Sequence, residues 1–250
     1  MSGKTPSAIL FDMAGTVVSS DSFHGAILLD ELQTIYAIAE ANRDLSVPCA
    51  LSAGMARAVE EICHRPYYLH HELMAEGFRH AAGLLGVTLE LEQTAKTSAR
   101  FWSASTANFK DRARTGGGLR HGAIDTLQAL RQRGYHLGLV SNIDEREFRE
   151  FLTHPPFAAC FDATLSSEAA GSCKPDPGIF RIALEQAGCA AKDAVFVGDT
   201  PAHDIDGAAD LGMTTVLISE PHEVSTRAVK SRHRPDYVIR ELPELLALFN

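Results

Sequence analysis

Side chains that could act together in catalysis lie at the ends of short apolar runs in this sequence. Asp12, Ser141 and Asp199 each end or closely follow such a run. Asn142 follows Ser141, and Lys174 lies in a loop further along the chain. A carboxylate can act as a nucleophile, a second carboxylate can help to hold Mg²⁺, and an ammonium and a hydroxyl can bind the oxygens of a transferring group. These residue types are therefore suited to attack on a phosphorus centre.

Four apolar runs predict the strands that must bring these side chains together. They are Ala8–Phe11, His136–Val140, Ala194–Val197 and Thr215–Ile218. Runs this short and this apolar are typical of strands that are covered on both faces, as in a parallel sheet. Because ligands bind beyond the carboxyl ends of the strands in open α/β sheets, the residues that follow these runs are expected to share one site.

Helix-like segments separate the apolar runs. They are Gly122–Arg133, Asp144–Leu152, Pro177–Ala187 and His203–Leu211. Gly134, Gly188 and Gly212 follow three of them and are typical helix stops. The alternation of strands and helices predicts an α/β fold with a doubly wound parallel sheet.

The stretch from about Ser20 to Arg114 has no convincing strand and indicates a second unit. It reads as four helices with breaks at Pro48, Pro66 and Gly86: Phe23–Ala41, Ala53–Cys63, Tyr67–Leu85 and Leu91–Phe109. The following run Thr115–Gly118 is typical of a flexible joint. We therefore predict a core domain of residues 1–18 and 115–250 and a helical cap domain of residues 19–114. The alternative is one domain that includes these helices.

Composition limits the possible partners. The formal net charge of −9 disfavours non-specific binding to nucleic acid, which needs a basic surface. The first apolar run is too short for a signal peptide, and no run approaches membrane-spanning length. The 5 cysteines form no CxxC pair, which fits reduced thiols. We expect a cytoplasmic monomer or homodimer with a small-molecule substrate and no nucleic-acid or membrane partner.

Four segments in register resemble the signature motifs of the haloacid dehalogenase superfamily. They are FDMAGT (11–16), LVSN (139–142), CKPDPGIF (173–180) and VGDTPAHDIDGAADLGM (197–213). The similarity covers the whole chain, because residues 20–114 fall where the family inserts its helical cap. The DMAGT sequence resembles the phosphonatase-like branch of the family.

The resemblance implies catalytic roles for three residues. Asp12 would attack the substrate and become transiently phosphorylated, while Ser141 and Lys174 would bind the phosphoryl oxygens. Simpler roles stay open, because Asp12 or Asp199 could cap a turn and Ser141 could cap a helix. Lys174 could likewise be a surface lysine.

The resemblance also implies a metal site and further substrate contacts. The ligands of Mg²⁺ would be Asp12, Asp199, Asp204 and the backbone carbonyl of Ala14. The residues predicted to contact the substrate are Thr16, Asn142 and His24. His24 lies where many capped relatives carry a histidine near the hinge.

Ala14 departs from the pattern of the phosphatases in this family. These enzymes usually carry at this position an aspartate that protonates the leaving alcohol and then activates water. A methyl group cannot transfer a proton, and the loss of such a group typically costs about 10²–10⁴-fold in rate.

Several explanations of Ala14 stay open. A phosphonatase-like enzyme would cleave a C–P bond, but phosphonoacetaldehyde hydrolases use a cap lysine, and the predicted cap has only Lys96 and Lys110, in its last helix. A phosphatase could take its acid-base group from the cap, whose candidates are His24, His64, Arg65, Tyr67, His70, His71 and His80. The protein could also be catalytically impaired, whether naturally or by substitution. A metal-free dehalogenase fits less well, because those relatives have lost the need for the acidic pair Asp199 and Asp204.

Overall fold

A six-stranded parallel sheet forms the centre of the molecule. The computed structural model describes residues 6–22, 30, 46–115, 117–219 and 231–250. The strands are β1 (Ala8–Phe11), β2 (His136–Ser141), β3 (Ala163–Ser166), β4 (Ala194–Gly198), β5 (Thr214–Ile218) and β6 (Tyr237–Ile239). Their order is β3-β2-β1-β4-β5-β6, and every neighbouring pair is parallel. The predicted doubly wound α/β fold is therefore confirmed. Strands β2 and β3 are added on one side of β1, and strands β4, β5 and β6 on the other.

Helices cover the sheet. In the described part of the chain predicted as the core, the α-helices are α4 (Ala123–Gln132), α5 (Glu145–Leu152), α6 (Pro155–Ala158), α7 (Ser167–Ala170), α8 (Pro177–Ala187), α9 (Asp206–Asp210) and α10 (Leu245–Leu248). A π-helical segment, Pro201–Ile205, precedes α9, and 3-10 turns lie at Ala191–Asp193 and Leu242–Glu244.

Apolar side chains of the strands alternate between two buried clusters. Ile9 and Phe11 of β1 belong to one cluster, and Ala8 and Leu10 belong to the other. Successive side chains of a strand point to opposite faces, so this alternation shows that the sheet is covered on both sides. The continuous apolar character of the run predicted this arrangement.

Three long helices come before these helices in the chain. They are α1 (Val47–Ile62), α2 (His70–Leu84) and α3 (Leu91–Arg114), and a short 3-10 turn lies at Ser20–Ser22. Phe109 of α3 packs against Phe151 and Phe157 of the core. The first predicted helix, Phe23–Ala41, lies outside the described residues apart from Asp30. The division into core and cap stays a prediction.

Two predicted helix boundaries in this segment are wrong. Pro48 was expected to break the chain, but it lies in the first turn of α1, where a proline is tolerated because that N–H has no partner within the helix. Ser46 caps this turn by accepting a hydrogen bond from the N–H of Cys49. The next helix begins at His70 instead of Tyr67, since Leu69 is still extended.

Within the described residues, no helix is both long and apolar enough to cross a membrane.

Candidate active site

Asp12 lies at the switch point of the sheet, between β1 and β4, where the order in which strands are added changes from one side to the other. It follows β1, and its backbone N–H donates a 2.9 Å hydrogen bond to the carbonyl of Val197 in β4. Asp199 follows β4 one residue after its end. The carboxyl ends of these two neighbouring strands therefore bring the two buried aspartates to one crevice.

The turn after Asp12 depends on a glycine. Gly15 has a φ of +80°, and a Cβ atom at this position would lie 2.4 Å from Oδ2 of Asp199. Its N–H donates to the carbonyl of Val18. Glycine is the residue that adopts this backbone conformation readily and leaves room for the carboxylate.

Asp204 completes a cluster of three carboxylates. Its Oδ2 accepts a 2.9 Å hydrogen bond from the N–H of Thr200, which fixes the carboxylate at the start of the π-helical segment. One oxygen from each of Asp12, Asp199 and Asp204 lies within 4.8 Å of the others. Such a cluster of hard oxygen ligands could hold a divalent cation such as Mg²⁺.

Lys174 neutralises part of this negative charge. Its Nζ lies 2.5 Å from Oδ1 of Asp12 and 2.7 Å from Oδ1 of Asp204, and it donates to the carbonyl of Val140. Burial by itself lowers the pKa of the Lys174 ammonium, but the two carboxylates raise the pKa by more. The group is therefore positively charged in the buried site.

The surroundings of Asp12 shift the pKa of its carboxyl group in opposite directions. Burial raises the pKa of its carboxyl group, Lys174 lowers it, and the negative charges of Asp204 and Asp199 raise it again, to a value of about 7. A cation added to the cluster would favour the carboxylate form, because opposite charge stabilises it.

Asn142 fixes the backbone of Lys174. Its Oδ1 accepts from the N–H of Lys174 at 2.7 Å, and its Nδ2 donates to the carbonyl of Lys174 at 2.9 Å. Both ends of the amide thus hold the lysine in place. Ser141, the last residue of β2, is buried beside it.

These residues line a cavity of about 200 Å³. Its lining is Asp12, Ala14, His70, Ser141, Asn142, Lys174, Asp199, Thr200, His203 and Asp204. Thr16 is fully buried and is not among the described residues that line the cavity. Its contact with the substrate stays a prediction, and His24 lies outside the described residues.

His70 was only one of several acid-base candidates that the sequence offered in the predicted cap. It begins α2 and lines the cavity that Asp12 and Lys174 also line. Burial, and after it the positive charges of His203, Lys174 and His71, together lower the pKa of its imidazole to about 3. The ring is therefore neutral. Its position four residues after the predicted break at Pro66 was a visible signal, but it did not rank above the other histidines of the predicted cap.

The comparison with protein families now identifies the chain. The model of the family described as "Hydrolase: haloacid dehalogenase-like hydrolase" matches residues 6–212. The chain belongs to this family.

Relatives of this hydrolase support the assignment. It is 37% identical over 125 residues to haloacid dehalogenase-like hydrolase domain-containing protein 3 of Mus musculus, and 32% identical over 125 residues to glyceraldehyde 3-phosphate phosphatase of Pyrococcus furiosus. These matches cover 50% of this chain and 49% and 52% of the relatives, so the chain spans about half the length of each. The fold is similar to the HAD-hydrolase YfnB from Bacillus subtilis, solved bound to magnesium, with a TM-score of 0.71, 21% identity and coverage of 99% and 100% of the two chains.

Proposed function

We propose that this hydrolase removes the phosphoryl group of a small phosphate ester through a covalent aspartyl-phosphate at Asp12, with the help of Mg²⁺. The observation that carries the proposal is the buried ion pair between Asp12 and Lys174 within a cluster of carboxylates. It supplies a nucleophile and a cation at one point of the cavity. The phosphatase from Pyrococcus furiosus supports the same reaction class.

Asp12 is the nucleophile of the proposed reaction. Lys174 engages its Oδ1, so Oδ2 is the oxygen that attacks phosphorus. Lys174 and Ser141 would bind the oxygens of the transferring group, where charge develops. Asn142 would act indirectly, by positioning Lys174 through a hydrogen bond to its backbone.

The residues of the cluster fit a magnesium ion. Asp12, Asp199 and Asp204 offer carboxylate oxygens, and Ala14 would add its backbone carbonyl, which does not depend on the side chain. Hydrolases of this family generally use Mg²⁺. When bound, the metal neutralises charge on the phosphoryl group and on these carboxylates.

The lysines favour a phosphate ester over phosphonoacetaldehyde. In the described part of the segment predicted as the cap, Lys96 pairs with Glu92 and Lys110 pairs with Glu150, both on the surface. Neither lines the cavity. A Schiff base with a substrate aldehyde therefore has no support among the described cap residues. A phosphonate of another kind is the second candidate, because Ala14 resembles the phosphonatase-like branch.

The cavity also limits the size of the substrate. A volume of about 200 Å³ suits a small phosphorylated molecule.

The cytoplasmic location, the monomeric or homodimeric state and the absence of nucleic-acid and membrane partners stay predictions.

A burst experiment with 4-nitrophenyl phosphate tests the proposal. With Mg²⁺, the unsubstituted protein should release 4-nitrophenolate, and Asp12→Asn should abolish this release. Asp111→Asn is the matched control, since its carboxylate is exposed on α3 and pairs with Arg114 three residues further along the helix. Release by Asp12→Asn equal to that of the unsubstituted protein would refute the nucleophile. No release by any variant, over a panel of phosphates, would favour a non-catalytic phosphate-binding protein.

A further inference from the structure

The loop before α2 is docked onto the segment that carries Lys174. The N–H of Cys173 donates a 2.8 Å hydrogen bond to the carbonyl of Pro66, and Sγ of Cys173 donates to the carbonyl of Tyr68 at 3.3 Å. Lys174 follows Cys173 directly. The contact therefore couples the position of this loop to the position of the buried lysine.

Asp144 fixes the first turn of α2 in the same place. Its Oδ1 accepts from the N–H of His70 at 2.7 Å, and its Oδ2 accepts from the N–H of His71 at 2.8 Å. Asp144 itself precedes α5 in the core. Charge-assisted bonds of this kind are short and directional, so they define where the side chain of His70 enters the cavity.

The ring of His70 is also oriented. It stacks on the ring of Tyr68, with 5.1 Å between the centroids and 29° between the planes. Its Nδ1 is buried and has no hydrogen-bond partner among the described residues. Because a buried N–H without an acceptor is unfavourable, the proton of the neutral ring belongs on Nε2, the nitrogen left for the cavity.

Resting on the function proposed above, we infer that His70 is a catalytic residue whose Nε2–H donates a hydrogen bond to the leaving oxygen of the substrate, in partial replacement of the acid that is missing at Ala14. The carboxylates and Lys174 account for the metal and the phosphoryl oxygens. His70 comes from the helical segment before the core, and it is the cavity histidine that does not neighbour the carboxylate cluster in sequence.

Neither step of the proposed reaction takes a proton from the imidazole of His70. As Oδ2 of Asp12 attacks phosphorus, the bond from phosphorus to the leaving oxygen breaks, and its electron pair goes to that oxygen. Nε2–H stabilises the resulting charge, and water supplies the proton of the released alcohol. A second water then attacks phosphorus. The bond from Asp12 to phosphorus breaks, its electron pair returns to the carboxylate, and the proton leaves with phosphate or solvent.

The leaving-group dependence of His70→Ala tests this role. The variant should lose about tenfold or more of kcat/KM with phenyl phosphate and much less with 4-nitrophenyl phosphate, because 4-nitrophenolate carries less charge on its oxygen. His70→Gln, which keeps an N–H donor, should recover part of the loss with phenyl phosphate. His71→Ala is the matched control, since that ring lines a different cavity, and it should leave the ratio of the two rates unchanged.

The outcomes separate the two proposals. Asp12-dependent turnover whose loss in His70→Ala is equal for both esters, or absent, overturns the inference and leaves the proposed function intact. Failure of the unsubstituted protein to turn over either ester overturns both. Thermal unfolding of each variant identifies a loss that comes from misfolding, and His70→Gln then decides the question in a folded protein.

Discussion

Lys174 and Asp12 form a buried ion pair, with 2.5 Å between Nζ and Oδ1, although 162 positions separate them in the chain. The same ammonium lies 2.7 Å from Asp204. Three carboxylates crowded into a buried site repel one another, and a cation between them reduces this repulsion. The pair therefore has a structural effect in addition to its proposed part in binding the phosphoryl group.

Lys174→Met should harm both stability and activity. Methionine keeps the apolar stem but leaves the buried carboxylates without their partner, which should cost about 3–5 kcal/mol in the free energy of unfolding. We also expect kcat/KM to fall by at least about 10²-fold. Urea unfolding and steady-state kinetics measure the two effects. Lys96→Met is the control, since Lys96 is exposed and its loss should change stability by less than about 1 kcal/mol. Equal stability of the two variants would contradict the structural effect.

The sequence was sufficient for the elements that place Asp12 and Asp199. Each aspartate follows an apolar run, and such runs become adjacent strands whose carboxyl ends share a crevice. The strand β3 was missed because its sequence, ATLS, is short and half polar. His70 could not be ranked, because its position depends on its own hydrogen bond to Asp144 and on the contact of the nearby Tyr68 with Cys173, and both partners are distant in the chain.

Ala14→Asp should raise turnover of phenyl phosphate by about tenfold or more. The new carboxylate would stand where phosphatases of the family usually carry their proton donor, and Ala14 already lines the cavity. Ala14→Asn is the control, because it adds similar volume without an acid. Steady-state kcat measures the effect. If aspartate has no effect or lowers kcat, alanine belongs to the native mechanism, and the phosphonate candidate gains support.

The carboxyl group of Glu147 should make the free energy of unfolding depend on pH. Burial raises the pKa of its carboxyl group, its own backbone N–H lowers it, and the charge of Asp144 raises it. The folded protein thus holds this proton more tightly than the unfolded chain, so ionisation above the folded pKa destabilises the fold, and the penalty vanishes below the unfolded pKa of about 4.3.

Glu147→Gln should accordingly stabilise the protein at pH 8, by up to about 1 kcal/mol, and the gain should disappear near pH 4. Urea unfolding at both pH values measures it. Glu150→Gln is the contrasting control: the hydrogen bond and charge of Lys110 lower the pKa of Glu150, so its loss should not stabilise the fold at pH 8. A gain from Glu147→Gln that is the same at both pH values would contradict the burial effect.

Gly15→Ala should strain the backbone and also displace the carboxylate of Asp199, and a comparison with Gly134→Ala should separate these two effects. A methyl group at this position meets Oδ2 of Asp199 at 2.4 Å, and φ is +80°. Gly134→Ala is the matched control, because its φ is +90° but no described atom lies within 4 Å of the added carbon. Both variants should lose about 1–2 kcal/mol from the left-handed backbone. Gly15→Ala should in addition raise the Mg²⁺ concentration needed for half-maximal activity, because Asp199 must move. Urea unfolding and Mg²⁺ titration of turnover measure the two effects, and equal Mg²⁺ dependence in both variants would show that Asp199 does not bind the metal from this position.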